Sequence, residues 1–149
     1  RRSRSRVPWQ LPRRCRKHMG TKWEVVKRVV RNRNSLGIID EDPGSSKSRL
    51  AHAFTVDEAA SQDTLKITKE KDGSRLVIII PYLEAWLVHR AVAGKIDLYS
   101  MNLPADGGKL HEILLQDMRK LEPLLQALKG KKDRELIFLT GWLQPFMAP

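Results

Sequence analysis

The chain carries a single cysteine, Cys15, in 149 residues. One thiol cannot bridge within the chain, so a disulfide scaffold is excluded and a reducing, cytoplasmic home is the expected setting. No long hydrophobic run is present. The most apolar stretch, Leu76 to Tyr82, falls far short of the roughly 20 residues that span a bilayer, so no membrane segment is expected. The Arg-rich start is not followed by an apolar stretch, which argues against a secretory signal, and Pro8 and Pro12 spoil the amphipathic helix of an organellar transit peptide. No internal repeat is visible. Acid is missing altogether from residues 1–23.

That last absence organises the charge. The formal net charge is +11, and residues 1–34 carry ten Arg and three Lys against Glu24 alone. The remaining residues hold 15 Lys and Arg against 16 Asp and Glu and are nearly neutral. Residues 1–34 are therefore the expected contact for nucleic-acid phosphates, with affinity driven by counterion release. A plain solubilising leader would have the same composition.

Residues 1–20 read as an irregular basic arm, with Val7, Trp9 and Leu11 as its candidate anchors, and residues 21–149 as a single domain. Thr21 is a plausible N-cap for a helix ending near Asn34, with Trp23, Val26, Val29 and Val30 on its apolar side. Ser35 to Asp40 reads as a buried strand that breaks into the turn-forming Glu41-Asp42-Pro43-Gly44-Ser45-Ser46. Residues 47–63 suggest a loop with a short helix. Thr64–Lys69 and Arg75–Ile80 are rich in β-formers around Lys71-Asp72-Gly73-Ser74, which predicts an antiparallel hairpin. Its second strand is apolar on both faces and should lie centrally. Pro81 then opens a helix from Tyr82 to about Val92, closed by Gly94. Further helices are predicted over 109–121, 123–129 and 133–144, with Leu110, Ile113, Leu114, Met118 and Leu121 as the core stripe of the first. The order predicts an α/β fold: a small sheet flanked by helices, with a helical C-terminal part. The helical tail is also the candidate surface for self-association into a homo-oligomer. A further parallel strand could come from residues 1–16, although nothing there reads clearly as one.

Three features could carry chemistry. Asp40-Glu41-Asp42 follows a buried strand, placing carboxylates at the edge where α/β sheets gather ligands. Strand alternation puts Asp40 and Asp42 on one side, a pair suited to Mg2+, which takes one or two protein carboxylates and fills its other positions with water or phosphate oxygens. The same triplet also suits a solvated Pro-Gly turn with an Asx bond. Glu84 stands in an otherwise apolar helix start and needs a cation, a metal or water nearby, or simply favours the helix dipole. His18 and Lys22 flank Gly20 at the start of the first helix, where free N–H groups could hold a phosphate. His52, His89 and His111 lack ligand spacing and read as surface or packing residues rather than a zinc site. Gly44-Ser45-Ser46 lacks the nucleophile elbow.

His18-Met19-Gly20-Thr21-Lys22, Gly37-Ile38-Ile39-Asp40-Glu41-Asp42-Pro43-Gly44 and Ile80-Pro81-Tyr82-Leu83-Glu84-Ala85-Trp86-Leu87 occur in order. They are followed by Leu103-Pro104, Leu110-His111-Glu112-Ile113 and Gly141-Trp142-Leu143. Across residues 17–143 the chain resembles prokaryotic proteins related to toprim (topoisomerase–primase) domains, including the nuclease-like branch found in defence systems. The resemblance implies a toprim-like α/β sheet with an acidic, Mg2+-binding edge that acts on phosphodiesters. Asp40 and Asp42 match the Asp-x-Asp pair of the pattern, and Glu84 matches a further acid of the nuclease-like branch. These three are the implied metal-binding and catalytic residues, with His18 and Lys22 placing the phosphate. The first-strand Glu of the pattern has no counterpart here, so the implied nuclease is weak or degenerate. The alternative is a non-catalytic nucleic-acid-binding or assembly module.

Overall fold

A computed structural model describes residues 22–41 and 54–147. Helix α1 (Lys22–Arg31) leads into strand β1 (Leu36–Asp40); β2 (Leu65–Ile67) and β3 (Arg75–Ile79) follow, then α2 (Leu83–Ala93). The C-terminal part is helical: α3 (Gly107–Gln116), α4 (Glu122–Gly130) and α5 (Arg134–Met147), with single 3-10 turns at Tyr99–Met101 and Met118–Leu121. The fold is mixed α/β, as the residue pattern predicts.

The sheet order is β1-β3-β2, so β3 is central. It pairs in parallel with β1, Ile38 opposite Val77, and antiparallel with β2, Leu65 opposite Ile79. The hairpin is therefore formed, with strands shorter than their β-formers suggest. Lys71 and Ser74 close its turn through reciprocal backbone bonds of 2.9 Å. A central strand must be apolar on both sides, and successive residues of β3 serve opposite layers. Leu76 joins Val26, Val29, Ile39 and Phe54 beneath α1. Val77 and Ile79 join Leu65, Ile67, Trp86, Leu87, Leu110, Leu124 and Leu128 beneath the later helices. Gly37 explains how closely α1 approaches the sheet: a Cβ there would lie 2.7 Å from Val29 and 2.9 Å from Leu76 side-chain carbons.

Several sequence expectations are corrected. Val30, placed on the apolar side of its helix, is 49% exposed, and Met118, placed in the core stripe of the helix over 109–121, is 60% exposed. Met118 falls outside because the helix predicted over 109–121 stops at Gln116. Asp117 then adopts an extended backbone, and its side chain accepts the Arg119 N–H at 3.0 Å, starting a separate 3-10 turn. The same helix begins earlier than predicted, at Gly107, because Asp106 caps it by accepting the Lys109 N–H at 2.9 Å. Of the stretch 47–63, residues 54–63 form turns and a bridge from Val56 to Thr68, as the loop reading expects, and residues 47–53 lie outside the described residues. The strand sought in residues 1–16 lies outside the described residues.

One buried polar network ties the layers together. Arg90 of α2 donates from Nε to both carboxylate oxygens of Asp133, at 2.9 and 3.0 Å. Its Nη2 reaches Asp133 at 2.6 Å and its Nη1 reaches Glu135 at 2.7 Å. Glu135 also accepts the Thr64 N–H at 3.1 Å and the Thr64 hydroxyl at 2.6 Å, while Asp133 caps α5 by accepting the Leu136 N–H at 3.0 Å. The start of α5, the entry to β2 and the last turn of α2 are thereby fixed to one another. Among the described residues, no helix is long and apolar enough to cross a membrane.

Candidate functional site

Parallel pairing brings the carboxyl ends of β1 and β3 to the same edge of the sheet. β1 ends there in Asp40, and the Glu41 N–H extends the ladder by donating to the Ile79 carbonyl at 2.9 Å. From β3 the chain turns directly into α2, so the first turn of that helix stands at this edge. The N-cap of α2, Tyr82, makes no side-chain capping bond. Asp40 takes that role from the neighbouring strand: its Oδ1 accepts the Leu83 N–H at 3.1 Å. A carboxylate at a helix N-terminus satisfies an otherwise unpaired donor and meets the positive end of the dipole.

Glu84 follows immediately. Its side chain is 12% exposed, and Oε1 lies 2.7 Å from Nδ1 of His111, which is 53% exposed. His111 comes from α3, whose N-terminus is brought against α2 because Gly107 leaves room for the Tyr82 ring; a Cβ on Gly107 would lie 2.5 Å from the Tyr82 hydroxyl oxygen. The hydrogen bond and the charge of Glu84 lift the His111 imidazole above its ordinary range against the opposition of desolvation, with smaller help from Asp40 and Glu112. The edge is therefore a carboxylate–histidine site, with Asp40, Glu84 and His111 as its members.

The sequence-derived candidates fall out unevenly. Asp40 and Glu84 come to one edge, joined through the peptide N–H immediately before Glu84. Lys22 opens α1, which packs on β1 through Val25 and Val29 against Gly37. Asp42 and His18 lie outside the described residues, as does His52. His89 is exposed. Among the described residues, no three His, Cys, Asp or Glu side chains form a group that could hold a metal ion. Asp40 and Glu84 offer two carboxylates, the number Mg2+ commonly takes from protein, and each already accepts a hydrogen bond. His111 is the member that residue spacing missed. It stands 27 positions from Glu84, and only the packing of α3 on α2 joins them.

The pair gives an expected pH dependence. Because the folded protein holds the His111 proton more tightly than the unfolded chain, the pair's contribution to stability is full below the ordinary His pKa of 6.5. It is lost as pH rises through the raised folded value. The urea midpoint difference between wild type and His111→Gln should be largest at about pH 6 and shrink as pH rises through the raised folded value. A difference that stays constant across that range would contradict the pairing.

Comparison with protein-family models, with curated proteins and with solved structures finds no match to this chain.

Proposed function

We propose that this chain is a toprim-like, Mg2+-dependent domain that engages nucleic-acid phosphates at the carboxyl edge of its sheet, with low hydrolytic turnover. The observation that carries this reading is the meeting of Asp40 and Glu84 at that edge. Asp40 and Glu84, with Asp42 beside them in sequence, would hold the cation, and the basic residues 1–34 would draw in the phosphate backbone. When bound, Mg2+ supplies polarisation of a phosphoryl oxygen and an activated water. The protein's own part is to hold its carboxylates rigidly, and the hydrogen bonds from Leu83 and His111 do this for Asp40 and Glu84. The same bonds limit catalysis, because each uses acceptor capacity that a tightly held metal requires. Residues 1–23 carry no acid to serve as the first-strand Glu that would fix the other side of the coordination shell.

A second reading is a nucleic-acid-binding module without catalysis. It is favoured by the 2.7 Å bond that gives Glu84 a protein partner. One set of assays separates the two. Purified protein with Mg2+ or Mn2+ should cleave DNA or RNA slowly, and Asp40→Asn should abolish the cleavage. Cleavage that survives in Asp40→Asn would remove the edge from the chemistry, and binding with no cleavage in either protein would establish the second reading. Deleting residues 1–16 should weaken binding and flatten its salt dependence, since fewer counterions are then released.

A further inference from the structure

The turn between α4 and α5 carries Lys129-Gly130-Lys131-Lys132-Asp133-Arg134. Lys129, Lys131, Lys132 and Arg134 are exposed, whereas Asp133 is 7% exposed and bonded to Arg90. The acid of the segment is thus withdrawn from the surface, and what solvent meets is four cations within six residues. The turn is held in shape by its backbone: the Lys131, Lys132 and Asp133 N–H groups donate to Ala127, Lys129 and Leu128 carbonyls at 3.0 Å. Lys132 sits at φ 54°. Directly beyond, Arg134, Phe138 and Trp142 recur every fourth residue along α5. The Phe138 and Trp142 rings are half-buried, with centroids 5.9 Å apart and planes tilted by 53°, and the Arg134 guanidinium lies 6.0 Å from the Phe138 centroid.

We propose that this elbow is a contact site for single-stranded nucleic acid, separate from the carboxyl edge. The cations meet the phosphates, and the Phe138–Trp142 pair, flanked by Arg134, stacks an unpaired base. Cations beside an aromatic platform are the combination by which proteins hold single strands without reading sequence. Duplex DNA would satisfy the lysines and leave the rings idle, because its bases are already stacked. An anionic membrane would require a continuous apolar face, and α5 exposes Thr140, Gly141 and Gln144 with Ile137 as the one large apolar residue exposed among its described residues. The site does not depend on the metal reading of Asp40, so Asp40→Asn should leave it unchanged.

The test uses the full chain, an oligodeoxythymidylate of about twenty nucleotides and an abasic strand of the same length, followed by fluorescence anisotropy across a salt series. The double variant Lys131→Gln/Lys132→Asn, with Asn suited to the left-handed backbone at 132, should weaken both strands and reduce the salt slope by about 1.4. Trp142→Leu should weaken the thymidylate roughly tenfold and leave the abasic strand unchanged, which no general loss of folding would do. Arg134→Gln, a substitution at an exposed position, provides a second check on the platform and should weaken thymidylate binding. An unchanged affinity and slope in the double variant would overturn the proposal. Equal losses on both strands in Trp142→Leu would overturn the stacking role. Elbow-dependent binding to phosphatidylserine–phosphatidylcholine vesicles, with oligonucleotide binding unaffected by the elbow variants, would assign the site to a lipid surface instead and likewise overturn it.

Discussion

Arg90→Met is expected to lower the free energy of unfolding by about 3–5 kcal/mol, measured by urea denaturation. Methionine replaces the stem of the arginine and removes its five donors. Asp133 and Glu135, only 4% and 6% exposed at their side chains, would then keep their charges without a cation. Thr64 and the α5 backbone cannot compensate, since they donate hydrogen bonds but carry no positive charge. The loss therefore measures uncompensated buried charge more than the absence of the bonds themselves. A triple variant, Arg90→Met with Asp133→Asn and Glu135→Gln, separates these effects. It retains acceptors for the Leu136 N–H and for Thr64 but buries no net charge, so it should be more stable than Arg90→Met alone. Arg90→Lys should fall between wild type and methionine, because an ammonium restores charge without the fork that engages Asp133 twice. A loss below about 1 kcal/mol in Arg90→Met would show that the carboxylates are adequately solvated without it.

This network also marks where reading the residues in order stops being informative. Periodicity and turn chemistry are local, and they located β1, the hairpin around Asp72-Gly73, the helix closed by Gly94 and the helical C-terminal part. The central position of β3 was also legible, because Leu76 to Ile80 is apolar on both faces. Arg90, Asp133 and Glu135 drew no notice in the sequence, since their pairing spans 43 and 45 residues and leaves no local pattern. The basic elbow beside Asp133 was hidden too, because a formal count over residues 35–149, 15 Lys and Arg against 16 Asp and Glu, averages over where the charges lie. At the carboxyl edge, Asp40 was legible from the strand that ends in it. Its bond to the Leu83 N–H was not, because helix capping is normally sought within a few residues of the helix start. His111 was hidden for the same reason as Arg90, its partner being supplied by packing between two helices.

Trp86 should be the most sensitive position in the core, and two substitutions there should differ sharply. It is 1% exposed in the second turn of α2, packed within the cluster that includes Leu87, Leu110 and Leu124. Trp86→Ala should cost about 3–5 kcal/mol, through lost apolar burial and the cavity left behind. Trp86→Phe should cost less than about 1.5 kcal/mol, because two effects oppose each other. The smaller ring leaves part of the space unfilled. It also removes the indole Nε1–H, which is buried and has no hydrogen-bond partner among the described residues. Leaving such a donor unsatisfied costs about 1–3 kcal/mol, and phenylalanine has no donor to strand. A Trp86→Phe loss approaching that of alanine would show the indole N–H to be engaged. The two variants should also part at the carboxyl edge. Trp86 lies two residues beyond Glu84 and anchors the helix that presents it, so an alanine that lets α2 settle into the cavity should weaken the His111–Glu84 bond. In Trp86→Ala, the His111 imidazole should titrate closer to its ordinary range by NMR. In Trp86→Phe, with the helix still seated, His111 should keep its raised pKa.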